Sequence, residues 1–314
     1  MSEIPVGISA CLLGAQVRHD GGHKHSRFCT GILAKHFSFK SVCPELEAGL
    51  GVPRPTIHLR QYDDGLRLTE TKNGTDHTQR MRDWITGIMP ELAHLRGYIL
   101  MAKSPSCGME RIKVHNPEGN VIARDGRGLF ADALIQAFPD MPVEEEGRLN
   151  DARLRENFIE RVYAYDDWMT LRENGLTRGG LVDFHTRHKF QLLAHDEPTY
   201  RRLGPMIGDL KSAPLEDIAD EYIREFMAAM SQKIKPGAHV NVMQHMMGFL
   251  RDALSDADRQ MLMEQIEAYR REEVPLVVPM TLLRMAQRRE PVDYLEKQQY
   301  LTPYPDELGL RNQV

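Results

Sequence analysis

The 314-residue chain has four cysteines, and three of them stand beside turn-forming residues. Cys11 lies in Ser9-Ala10-Cys11-Leu12-Leu13-Gly14, Cys43 in Val42-Cys43-Pro44-Glu45, and Cys107 in Ser104-Pro105-Ser106-Cys107-Gly108. Thiolates are soft ligands that select iron–sulfur clusters, copper(I) or zinc. The chain has no Cys-x-x-Cys pair, which argues against a structural zinc knot. A [4Fe–4S] cluster usually takes four cysteines, so three would leave one iron open. On spacing alone the alternative stands equally: small, buried residues near strand ends. Cys29, between Phe28 and Thr30 in a helix-like stretch, reads as such a buried residue.

The cysteines gain meaning from the elements around them. Short apolar or alternating runs at 6–10, 37–42 and 97–102 predict strands. Helix-like stretches at 26–36, 76–95 and 129–138 separate and follow them, and 141–143 could open a last strand. The alternation predicts an α/β, Rossmann-like domain with a mostly parallel sheet over 1–148. Cys11, Cys43 and Cys107 then fall at the carboxyl ends of three strands. Those ends share one edge of an open parallel sheet, where ligands bind. Residues 149–180 read as a charged linker helix followed by a glycine-rich hinge. Residues 181–314 read as an all-α domain, with Met243, Met246, Met247, Leu250 and Leu254 at helix spacing as core.

Composition sets outer bounds. Hydrophobic residues make up 41% and charged residues 27%, ordinary values for a globular chain that can build two cores. The net charge of −5 argues against an overall basic nucleic-acid coat. No apolar run reaches the roughly 20 residues of a membrane helix. The polar N-terminal residues lack the basic start and apolar centre of a secretory signal, so a cytoplasmic protein without a membrane partner is expected. Four cysteines are too sparse for a disulfide framework.

The flanking residues sharpen the site. Ser-Pro-Ser-Cys-Gly is a tight turn whose backbone N–H groups can face cluster sulfurs or an anion. Cys-Pro-Glu places a carboxylate two residues from a candidate ligand. The polar loop Arg18-His19-Asp20-Gly21-Gly22-His23-Lys24 follows the first strand. Arg18, His23 and Lys24, with Ser106, are candidates for substrate binding, since clustered donors suit a phosphate. The plainer alternatives are a solvated loop, a helix-capping role for Glu45, and a turn-fixing role for Ser104.

These three motifs, in this order and with Arg18-His19-Asp20-Gly21, resemble the thiouracil desulfidase family over residues 1 to about 145. The second half resembles the helical YbgA-like domain. It does so through His185-Thr186-Arg187-His188-Lys189, Asn241-Val242-Met243-Gln244-His245 and Tyr300-Leu301-Thr302-Pro303-Tyr304-Pro305. The resemblance implies a [4Fe–4S] cluster on Cys11, Cys43 and Cys107. It also implies removal of sulfur, as sulfide, from thiolated uracil compounds such as 2-thiouracil and 4-thiouridine monophosphate. Family members carry an acidic residue two places after the second cysteine, here Glu45, and a serine three places before the third, here Ser104. A tyrosine common before Asp-Gly is replaced here by His19, so no role is carried onto it.

The chemistry expected of such a site is hydrolytic. Glu45 would move a proton from water to the ring or the sulfur, and Ser104 would orient substrate or relay a proton. The partner is a small thiolated nucleobase or nucleotide. Arg187, Lys189, Arg201 and Arg202 leave room for nucleic acid at the C-terminal domain without requiring it. His185, His188 and His195 are read as helix packing rather than a metal site. Two other readings stay open. One is an RNA- or partner-binding protein with a structural or redox-sensing metal on the three cysteines. The other is a thiol enzyme with Cys107 as nucleophile.

Overall fold

The structure is a computed structural model and describes residues 3–252 and 254–314. The chain divides into two compact units, the first ending at Asn150 and the second running from Asp151 to Val314. From the N-terminus the first unit contains β1 (Ile4–Ser9), β2 (Phe37–Val42), α1 (Pro44–Glu47), β3 (Ile57–Tyr62), β4 (Gly65–Glu70) and α2 (Thr78–Leu92). It continues with β5 (Tyr98–Leu100), β6 (Ile112–His115), β7 (Val121–Gly126), α3 (Leu129–Ala137) and β8 (Val143–Glu145).

The principal sheet is wholly parallel, with strand order β2-β1-β5-β8. The chain leaves β1 to one side for β2 and then crosses back to place β5 on the other side. The strand order therefore reverses between β1 and β5, the kind of point at whose carboxyl edge open parallel sheets bind ligands. Val6 and Ile8 of β1 are fully buried, and so are all three residues of β5, as central strands covered on both faces require. Gly7 is needed for that packing, because a Cβ there would stand 2.2 Å from the Tyr98 ring. The α2 helix buries Met81, Ile85, Ile88 and Leu92, an i, i+4, i+7, i+11 stripe.

A second sheet, of order β4-β3-β6-β7, was not expected from the sequence. Its outer strands pair antiparallel with β3 and β6, which are parallel to each other. The expected helix at 26–36 is instead a π turn over Phe28–Ile32 and a 3-10 turn over Leu33–Lys35. Thr30, Gly31 and Ile32 are poor helix formers, and the Thr30 hydroxyl donates back to the Ser26 carbonyl at 3.1 Å.

The second unit is helical: α4 (Ala152–Glu173), α5 (Arg178–His195), α6 (Glu197–Gly208), α7 (Leu215–Met230), α8 (Pro236–Phe249), α9 (Asp256–Arg270), α10 (Val277–Arg289) and α11 (Asp293–Glu296). The stretch 149–180, expected as a separate linker, falls almost wholly in this unit. Phe158, Ile159 and Val162 of α4 are fully buried, and α4 packs on α5 and α7. Of the expected hinge glycines, Gly175 has the left-handed φ of +92° that turns the chain after α4. Gly179 and Gly180 already lie in the first turn of α5, whose N-cap Thr177 accepts from the Gly180 N–H at 3.0 Å. Among the described residues no helix is long and apolar enough to cross a membrane.

The core of this unit contains a chain of polar groups. His188 faces Asp167 Oδ2 and Gln191 Oε1, each at 2.6 Å, and the Gln191 amide donates to Glu160 Oε1 at 2.9 Å. Glu160 Oε2 lies 3.2 Å from His195 Nε2, while His195 Nδ1 donates to the Gln232 carbonyl at 2.7 Å. The basic residues of this segment are likewise engaged: Arg187 by Asp167 and Asp183, Arg201 by Glu197, and Arg202 by Glu225. Burial alone would raise the Glu160 carboxyl, but the His195 ring overrides it and holds the acid at about 2. Burial pushes His239 down to about 3, and its Nδ1 pairs with the Tyr300 hydroxyl at 2.7 Å.

Both groups make the fold acid-sensitive. The unfolded chain takes up a proton at His239 below its ordinary value of 6.5 while the folded chain does not, so stability falls as pH drops from 6.5 toward 3. Glu160 adds to the loss between its ordinary 4.5 and about 2. One such group changes stability by about 1 kcal/mol per pH unit in its window. The thermal midpoint of the second unit should therefore fall from pH 6.5 to 4.5, and His239→Gln should flatten that slope; parallel slopes would contradict the assignment.

Candidate active site

The carboxyl edge of the parallel sheet gathers the three turn cysteines. Cys11 follows β1 in a short 3-10 turn closed by Gly14 in the left-handed conformation. Cys43 follows β2 and begins α1, and Cys107 lies in the loop after β5. The three thiols act on one another electrostatically. After burial itself, the charges of Glu45, Cys43 and Cys11 all push the Cys107 thiol up. Burial raises Cys11 to about 11, with Arg18 opposing and Cys43 adding to the rise. Burial also raises Cys43. Cys29 is fully buried, and the charge acting on it is that of Glu146, not of the other cysteines.

The loop bearing Cys107 is built by hydrogen bonds. Ser104 Oγ accepts from the backbone N–H of Ser106 at 3.2 Å and of Cys107 at 3.0 Å. Both its lone-pair sites are thus filled, and its single proton goes to Glu45 Oε1 at 3.2 Å. The carbonyls of Pro105 and Ser106 accept from the first free N–H groups of α3, at Leu129, Phe130 and Ala131, over 3.0–3.1 Å. This docking requires a glycine at the helix entry. A Cβ on Gly128 would stand 2.5 Å from the carbonyl carbon and oxygen of Ser106 and 2.9 Å from the Cys107 nitrogen.

Glu45 does not cap α1. Glu47 does so, with its carboxylate accepting from the Cys43 N–H at 2.8 Å. Glu45 instead meets Ser104 through Oε1 and the Arg54 guanidinium through Oε2. Arg54 was not singled out in the sequence. It sits in the Pro-rich loop Val52-Pro53-Arg54-Pro55, which carries no sign of its burial.

The other expected substrate residues divide. Arg18 is half-buried and lies within electrostatic reach of Cys11. His23 and Lys24 are exposed, and no hydrogen bond or ion pair among the described residues ties their side chains to the cysteines. Ser106 is fully buried beside Cys107, and its hydroxyl has no partner. A second orphan is the hydroxyl of Tyr98, fully buried on β5 and within electrostatic reach of all three thiols.

These observations bear on what the thiols could hold. Two buried donors without acceptors beside three thiols suit a group that brings acceptor atoms of its own, as a cluster's sulfides do. Among the described residues no three His, Cys, Asp or Glu side chains are grouped to hold a single metal ion. Three thiolates are the donor type that an iron–sulfur cluster takes. The candidate ligands are Cys11, Cys43 and Cys107.

Both units resemble known proteins. Residues 6–146 match the family model of 2-thiouracil desulfurase. Residues 189–305 match that of a protein family of unknown function, DUF1722. An uncharacterized protein YbgA of Escherichia coli (strain K12) is 33% identical over 165 residues, 52% of this chain and 98% of that protein. A solved structure of a [4Fe-4S]-dependent thiouracil desulfidase, TudS, is 30% identical, spans 48% of this chain and 94% of its own, and superposes with a TM-score of 0.38. The chain is a relative of YbgA in which an N-terminal domain matching the 2-thiouracil desulfurase family model precedes a DUF1722 domain.

The close approach at Gly128 can be tested. Gly128→Ala forces the Ser106–Cys107 peptide to move and should cost about 1–3 kcal/mol in urea unfolding. Gly87→Ala, exposed in α2 with nothing within 4 Å of the added Cβ, should stabilise by about 0.5–1 kcal/mol. Equal effects of the two substitutions would mean the loop is not docked as described.

Proposed function

We propose that the first unit removes sulfur from thiolated uracil compounds by hydrolysis, using a [4Fe–4S] cluster held by Cys11, Cys43 and Cys107. The observation that carries this reading is the meeting of the three thiols and the Glu45 carboxylate at one edge of the parallel sheet. The overall change is C=S plus water to C=O plus hydrogen sulfide, with no net oxidation or reduction. When bound, the cluster would supply an open iron as a Lewis acid for the leaving sulfur.

The residues of the chain supply the rest. Glu45 Oε1 would take the proton of the attacking water and return it to the ring or the sulfur. Ser104, with its proton committed to Glu45, orients that carboxylate rather than relaying a proton freely. The fully buried Ser106 hydroxyl has one proton, which would go to the cluster rather than to the substrate. Arg18 provides positive charge for a nucleotide phosphate, so 4-thiouridine monophosphate is a candidate beside 2-thiouracil. The cytoplasm, where thiols stay reduced, suits this chemistry.

Protein purified and reconstituted without oxygen should release sulfide from 2-thiouracil or from 4-thiouridine monophosphate. Glu45→Gln should lower kcat by about 10²- to 10⁴-fold while iron content is unchanged. Iron-loaded wild-type protein that releases no sulfide from either compound would refute the reading.

A further inference from the structure

We infer that Arg54 is a positioning residue for Glu45, fixing which of its two carboxylate oxygens faces the cysteines. The inference rests on the desulfidase reading above. A guanidinium that only neutralises a buried carboxylate usually gives one N–H to each oxygen. Here Nε, at 2.9 Å, and Nη2 both donate to the same atom, Oε2 of Glu45. Oε1 is left with the Ser104 hydroxyl and one open lone-pair site.

The guanidinium is itself held from behind. Nη1 donates to the carbonyls of Val17 at 3.0 Å and Gly51 at 2.9 Å, and the Arg54 backbone N–H donates to the His19 carbonyl at 2.9 Å. The side chain is 4% exposed and that of Glu45 is 13% exposed. Arg54 therefore joins the loop after Cys11 to the carboxylate that follows Cys43, and neither end can swing without losing buried hydrogen bonds. A lysine has the charge but not the planar fork, so it cannot hold Oε2 and both carbonyls together.

The test is a double-mutant cycle on the holoenzyme, with kcat, KM, iron content and thermal midpoint read for each protein. Arg54→Lys should lower kcat by on the order of 10²-fold, as misplacement of a reacting group does, with KM and iron content little changed. In a Glu45→Gln background, Arg54→Lys should cost little more activity, because the group it positions is already gone. Arg54→Gln leaves a buried carboxylate unpaired and should lower the thermal midpoint. Glu45→Gln with Arg54→Gln should recover much of that loss, a readout that needs no activity.

Losses that multiply in the double variant would overturn the proposal. So would a change confined to KM, which would make Arg54 a substrate ligand, or loss of iron in Arg54→Lys, which would make it a strut of the cluster site. An inactive but iron-loaded wild type would instead sink the desulfidase reading itself, and the positioning role with it.

Discussion

One hydroxyl holds the candidate site together. Ser104 Oγ receives two backbone amides of its own loop and gives its proton to Glu45. The loop that carries the third cysteine is thereby fixed to the carboxylate that follows the second. Two residues 59 positions apart in sequence become neighbours through a single oxygen with no unused hydrogen-bonding capacity. Each side of the link is supported by a different element: the loop rests on the N-terminal turn of α3, and the carboxylate on the fork of Arg54.

The parallel sheet makes this arrangement economical. Three strands ending at one edge bring three thiols together, although β1, β2 and β5 are separated by long crossovers. Tight backbone approaches then replace side chains where the loops must touch, at Gly7 under Tyr98 and at Gly128 against Ser106. Two buried hydroxyls have no acceptor among the described residues: that of Ser106, next to Cys107, and that of Tyr98, within electrostatic reach of the thiols. The second unit follows a different logic, in which helices close around an interior chain of imidazoles, carboxylates and an amide.

Much of this was legible in the amino-acid sequence because it depended on local pattern. The strand at 37–42, the cysteines at strand ends, the buried Cys29 and the helical second half all follow from apolar periodicity and flanking turn residues. The second sheet was missed although Ile57-His58-Leu59-Arg60-Gln61-Tyr62 alternates in type and meets a turn at Asp63-Asp64-Gly65, a readable hairpin signal. Its edge strand Val121–Gly126 is mostly exposed, so little apolar patterning marks it. Arg54 could not have been found, since its burial arises from carbonyls of Val17, His19 and Gly51 that meet only in the folded chain. The fully committed Ser104 hydroxyl was equally invisible, because sequence gives residue type but not donor direction.

In the proposed site Cys11, Cys43 and Cys107, and not Cys29, hold the cluster. The most direct measurement is iron and acid-labile sulfide per chain after anaerobic reconstitution, compared across Cys11→Ser, Cys29→Ser, Cys43→Ser and Cys107→Ser. About four irons, as a [4Fe–4S] cluster contains, should be retained by the wild type and by Cys29→Ser, and content should fall sharply in each of the other three. Equal retention in Cys107→Ser, or loss in Cys29→Ser matching the others, would contradict the account.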